Sequence, residues 1–126
     1  MDWTQCRLTG FVKQAGIDED IIKSLKESAE NKRKSSRLLP LNEITASSAF
    51  VLLYDSLREY LEALALTKGF KIYNHECFTC FLLEIIKDEE SSKEFDSLRL
   101  LRNSINYYGK KLSVTDAKRV IEDSEK

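Results

Sequence analysis

The chain has 126 residues, 42% of them hydrophobic and 33% charged, with one proline, four glycines and a formal net charge of −1. That length holds one hydrophobic core and is short for two, and the scarcity of proline and glycine excludes both a turn-rich β architecture and a disordered chain. A charge near zero excludes a protein that coats nucleic acid by bulk electrostatics, so any such contact has to be a local patch.

In chain order, the segment from about Trp3 to Ala15 places Leu8, Phe11, Val12 and Ala15 on one side and predicts a short first helix, with Gly10 inside it and Gly16 as its stop. Asp18, Glu19 and Asp20 favour a helix start, and Ile21, Ile22, Leu25 and Ala29 mark the inner face of a second helix over about 18 to 37. Its basic end, Lys32 to Arg37, complements the negative end of the helix dipole and reads as a solvated terminus, with a polyanion patch as the alternative. After Pro40, Asn42 is placed to cap a long central helix over about 43 to 68. There Ala46, Ala49, Phe50, Leu53, Leu57, Leu61 and Leu64 recur at three- and four-residue steps, while Asp55, Arg58, Glu59 and Glu62 share the opposite face. Gly69 ends that helix, Phe70 to Asn74 reads as a link, and a helix over about 75 to 87 buries Cys77, Phe78, Phe81, Leu82, Ile85 and Ile86. A polar turn over 88–92 precedes a helix over about 92 to 108. Ser113 or Thr115 then caps a last one reaching about 124, with Val114, Ala117, Val120 and Ile121 inward. The expected fold is all-α, one domain over residues 1–126.

No apolar run reaches the roughly 18 to 20 residues of a membrane span, and Met1 to Gln5 lack the basic and apolar regions of a signal peptide, so a soluble, cytoplasmic protein without membrane contact is expected. Three cysteines, two of them one helical turn apart, do not suggest a secreted disulfide framework, and reduced thiols are expected.

The segment from Leu98 to Tyr108 carries the most suggestive chemistry. Leu98, Leu101, Ile105 and Tyr108 form an apolar stripe, and Arg99, Arg102, Asn103 and Asn106 run beside it at the same spacing. Two guanidiniums and two amides in one line offer a fork of donors suited to a phosphate or an oxyanion. The same pattern also suits a solvated helix face or an interface. Tyr107 and Tyr108 are placed to stack on a base or to pack inward, and Lys110 and Lys111 lie just beyond them. The cluster His75, Cys77 and Cys80 is poor as a metal site, since a structural zinc needs four ligands and only Cys6 remains elsewhere as an obvious N or S donor. No metal and no cofactor are expected. Cys77 and Cys80 read as small core residues, and His75, the single histidine, as a capping or buried polar group. Neither a glycine-rich phosphate loop nor a nucleophile elbow is present, so enzyme signals are weak.

Three stretches resemble the HEPN superfamily (higher eukaryotes and prokaryotes nucleotide-binding), and together they cover about 43 to 121. They are the long helix from Ala49 to Leu66 closed by Lys68-Gly69-Phe70-Lys71, the opening Asn74-His75-Glu76, and Leu101-Arg102-Asn103-Ser104-Ile105-Asn106-Tyr107-Tyr108-Gly109. The last is similar to the family's signature of Arg, commonly Asn, then His five residues after the Arg. The resemblance implies an up-and-down bundle of four to five helices and a two-fold homodimer with the signature helices facing a shared cleft. It further implies metal-independent RNA cleavage in many members, and in some a small nucleotidyltransferase partner within a toxin–antitoxin pair. Arg102 and Asn103 match the signature, whereas Tyr107 stands where the histidine belongs. A phenol with an ordinary pKa near 10 is a poor base at neutral pH. The expectation is therefore RNA or nucleotide binding through Arg99, Arg102, Asn103, Asn106 and Tyr107. The alternatives are a metal-independent endoribonuclease relying on Arg102 with Tyr107 or His75, and a non-catalytic helical dimerisation or adaptor module.

Overall fold

In the computed structural model the backbone is described for residues 1–108 and 113–124, and side chains for residues 1–105 and 113–120. Among the described residues, six helices and one two-stranded sheet succeed one another as α1 (Trp3–Leu8), β1 (Val12–Gln14), α2 (Glu19–Leu38), α3 (Ala46–Thr67), β2 (Phe70–Ile72), α4 (His75–Glu84), α5 (Glu89–Tyr108) and α6 (Val114–Ser124). The chain is an all-α helical domain with α3 at its centre, in contact with α2, β2, α4, α5 and α6.

The first helix is shorter than its periodicity suggests. A capping box starts it, with Asp2 accepting from the Gln5 N–H at 2.8 Å and Gln5 accepting in return from the Asp2 N–H at 3.0 Å. Gly10 then takes φ +79°, which turns the chain, and Leu8 is left 81% exposed. Beyond this turn the chain enters a strand. Val12, Lys13 and Gln14 pair antiparallel with Ile72, Lys71 and Phe70, so the segment expected to be a mere link after Gly69 is the partner strand. Val12 and Ile72, opposite one another, both point into the core.

The remaining helices begin where capping chemistry places them. Asp18 accepts from the backbone N–H groups of Asp20 and Ile21 at the head of α2, and Asn74 accepts from Glu76 N–H at the head of α4. Asn42 accepts from Ile44 and Thr45 N–H, forming a turn that delays α3 to Ala46. Lys87 takes φ +62° after α4, and Asp88 accepts from Ser91 N–H, so α5 starts at Glu89, earlier than the polar composition of 88–92 suggests. Ser113 accepts from Asp116 N–H at the head of α6.

Trp3, Phe50, Tyr54, Phe78, Phe81 and Phe95 lie in the main core, where Leu98, Leu101 and Ile105 of α5 pack from one side. Each fully buried side chain of this size contributes about 1.5 to 3 kcal/mol relative to an exposed one. Because α3 is covered on more than one face, its polar side is not a solvated one. Glu59 and Glu62 are only 5% and 8% exposed, and they are neutralised by Lys32 of α2, Lys71 of β2 and Arg58 of α3 itself. Lys32 and Arg33 at the basic end of α2 thus have protein partners, Glu59 and Glu30.

Cys6 and Cys77 form a disulfide between α1 and α4, across 71 residues of sequence, which corrects the expectation of reduced thiols. Spacing along the chain reveals only the pair Cys77 and Cys80. Folding instead brings Cys6 to a Cα–Cα distance of 6.0 Å from Cys77, a normal span for the bond. Cys80 remains a buried thiol, as its reading as a core residue implies.

Candidate functional site

The apolar stripe of α5 fixes the orientation of the polar stripe beside it. With Leu98, Leu101 and Ile105 packed on the core, Arg99, Arg102 and Asn103 are all half-buried at the edge of that contact. Their roles differ. Arg99 is committed to Asp96 one turn earlier, donating from Nε at 3.0 Å and Nη2 at 2.8 Å to the same carboxylate oxygen, which also accepts from Thr79 Oγ1 at 3.2 Å. Asn103 makes no side-chain hydrogen bond among the described residues. Asn106 and Tyr107 stand on the last turn of α5, with side chains outside the described residues, as are Lys110 and Lys111.

Arg102 is held without a hydrogen bond among the described residues. Its Nε is buried and lies 3.8 Å from Asp55 Oδ1, close enough for an ion pair and too far for a hydrogen bond. Its guanidinium carbon stands 5.7 Å from the ring centroid of Tyr54, a cation–π contact. The side chain is 21% exposed. A guanidinium anchored by an aromatic face and one distant carboxylate keeps a fork of donors for something else.

Tyr54 links Arg102 to α4. It is 1% exposed, stacked on Phe95 with centroids 5.7 Å apart, and its hydroxyl meets His75 Nδ1 at 3.0 Å. Burial pushes the phenol up to about 12, against the opposing pull of Arg102, Arg58 and Arg99, so it keeps its proton. His75 is half-buried on the first turn of α4, with Phe78 at 6.2 Å. Burial first, then the guanidiniums of Arg58, Arg102 and Arg99, hold its imidazole below the ordinary value of 6.5, while Asp55 acts in the opposite sense. The ring is therefore neutral at pH 7. Nδ1 is also the only partner of the Tyr54 hydroxyl among the described residues. If Nδ1 carried the ring proton, the phenol proton would have no acceptor there, so the satisfied arrangement has Tyr54 donating and the ring proton on Nε2.

Three helices thus converge: Tyr54, Asp55 and Arg58 from α3, His75 from α4, and Arg102 from α5. Tyr54 and Asp55 are not legible as site members from the α5 pattern, and the sequence offers His75 only as an alternative base. One available signal was the i−3 relation of Asp96 to Arg99, which marks that arginine as a salt-bridge member. Among the described residues, no group of three His, Cys, Asp or Glu side chains is placed to hold a metal ion. Two surface hollows lie elsewhere. An open groove of about 780 Å³ is lined by residues including Ile17, Lys26, Glu30 and Thr67, and another of about 280 Å³ by residues including Lys13, Asp18, Lys71 and Tyr73. No helix among the described residues is long and apolar enough to cross a membrane. Comparison with family models, curated proteins and solved structures finds no match for this chain.

Proposed function

We propose that this chain is a HEPN-like helical protein that binds RNA or a nucleotide through a phosphate, with Arg102 as the anchor and Arg99, Asn103, Asn106 and Tyr107 along the same helix. The observation that carries the reading is the state of Arg102, a half-buried guanidinium fixed over Tyr54 with no hydrogen bond to any described residue. Such a donor fork is pre-set for an oxyanion and loses little side-chain freedom on binding one. Arg99, chelating Asp96, contributes field rather than a free fork.

Holding is favoured over cutting. Metal-independent RNA cleavage needs a base for the 2′-hydroxyl, and Tyr107 is a phenol. His75 is no better placed as a base, because its unprotonated nitrogen faces the Tyr54 hydroxyl and its other nitrogen carries the proton. A homodimer with the α5 helices facing one another, a small nucleotidyltransferase partner and a cytoplasmic setting belong to the same proposal. Leu100, 53% exposed beside the polar stripe, is the α5 side chain that such a dimer would cover.

The test is ultraviolet cross-linking of the purified protein to cellular RNA, with nucleotide extracted from the purified protein identified in parallel. Wild type should yield RNA or nucleotide and Arg102→Ala much less of either. Equal recovery from both proteins would overturn the reading in favour of a helical adaptor.

A further inference from the structure

The signature helix lacks a histidine, yet the one histidine of the chain lies against the same tyrosine as Arg102. The ring centroid of His75 is 5.8 Å from that of Tyr54, and the guanidinium carbon of Arg102 is 5.7 Å from it. Neither Arg102 nor the Nε2 atom of His75 has a hydrogen-bond partner among the described residues. Arg102 Nε is buried without a partner, and His75 is a second donor oriented by the same buried ring from another helix.

We propose that His75 is a second phosphate-binding residue, so that the site takes the terminal phosphate of a 5′-phosphorylated ligand between Arg102 of α5 and His75 of α4. This rests on the phosphate reading of Arg102 and adds to it a residue and a ligand class. Among the described residues, the charged and titratable groups around His75 are Tyr54, Asp55 and Arg58 on α3, and Arg99 and Arg102 on α5. Burial first, and then three guanidiniums against the Asp55 carboxylate, oppose a proton on the imidazole. A phosphomonoester brings up to two negative charges near pH 7 and reverses that balance, whereas an internal phosphodiester brings one. Seating the monoester therefore draws a proton onto His75 Nδ1, where the Tyr54 hydroxyl turns from donor to acceptor, and the imidazolium then attracts the phosphate in turn.

A single histidine makes the readout unambiguous, since one imidazole Cε1–H resonance reports the whole titration. That resonance is followed through the pH range in the free full-length protein and with adenosine or uridine 5′-monophosphate. Further samples contain a short RNA carrying a 5′-phosphate and the same RNA without it. The expected result is a rise of at least about one pH unit in the His75 midpoint with either monophosphate and with the phosphorylated RNA, and a smaller rise with the unphosphorylated RNA. Between about pH 8 and about pH 6.5, affinity for the monophosphates should increase about threefold in wild type and stay flat in His75→Gln, which retains a donor but cannot take the proton. Thermal melts confirm that His75→Gln is folded. If the monophosphates bind and Arg102→Ala abolishes binding while the His75 midpoint does not move, the second residue is wrong and the Arg102 reading stands. Equal rises with both RNAs would overturn the preference for a terminal phosphate. If none of these ligands binds, both readings fall.

Discussion

Arg102 and Arg99 differ in what surrounds them, and that difference sets what each substitution should do. Arg102→Ala removes a donor fork that no described residue satisfies, so RNA or nucleotide affinity should fall by about 1 to 3 kcal/mol, the range for a charge-assisted contact. Tyr107→Phe should cost less than about 1 kcal/mol; both are read by titration calorimetry. A larger loss for Tyr107→Phe, with cutting of single-stranded RNA in the presence of chelator, would favour the endoribonuclease. His75 makes a second prediction, about stability. Its native value lies below 6.5, so between those two values the unfolded chain binds more protons than the folded one. Stability should thus be full above about pH 6.5 and decline as pH falls through 6.5 toward the native value. Urea unfolding from about pH 7.5 to about pH 5.5 should show this slope in wild type and a flatter one in His75→Gln, because no other side chain ordinarily titrates there.

Among the elements, α1 is short and its place depends on a few long-range contacts. Trp3 packs edge-on against Phe70 at 5.2 Å, its backbone N–H donates to Glu84, and the Cys6–Cys77 bond closes the attachment to α4. Six residues do not hold a helix by propensity, so the tether matters. Reduction, or Cys6→Ser, should lower unfolding stability by about 2 to 4 kcal/mol through the freed long loop. Reductant should then have little further effect on Cys6→Ser, whereas Cys80→Ser should keep its response to reductant; denaturant titration distinguishes these. At the α4–α5 junction, Lys87 occupies a backbone region that favours glycine. Lys87→Gly should raise stability by about 0.5 to 1 kcal/mol, measured as a shift in the urea midpoint without a change in slope.

For the whole molecule, the arrangement of α3 among its neighbours puts the Arg102 cluster at a three-helix junction rather than on an isolated helix face. The proposed two-fold dimer would set two such junctions side by side through α5. Light scattering at micromolar concentration should give twice the 14.6 kDa chain mass, and Leu100→Glu should shift it toward the monomer. A wild-type monomer would remove the shared cleft, leaving Arg102 to act within one chain.

Local chemistry in the sequence was enough to determine the helical class, the starts of α2, α4 and α6 and the inward face of α5. Caps and three-to-four periodicity act over a few residues and are readable there. The two strands escaped that reading because a three-residue strand has no period of its own; Val12 and Ile72 become a pair only once Gly10 and Gly69 turn the chain at positive φ. Glu59 and Glu62 look solvated by spacing and are buried because α2 and β2 bring lysines over them. The site divides in the same way. The polar stripe of Arg99, Arg102 and Asn103 and the i−3 pairing of Asp96 with Arg99 are visible in one helix, but only tertiary packing decides that Tyr54 carries both Arg102 and His75. Distances between side chains on different helices depend on how apolar faces pack, and no spacing within one helix encodes them.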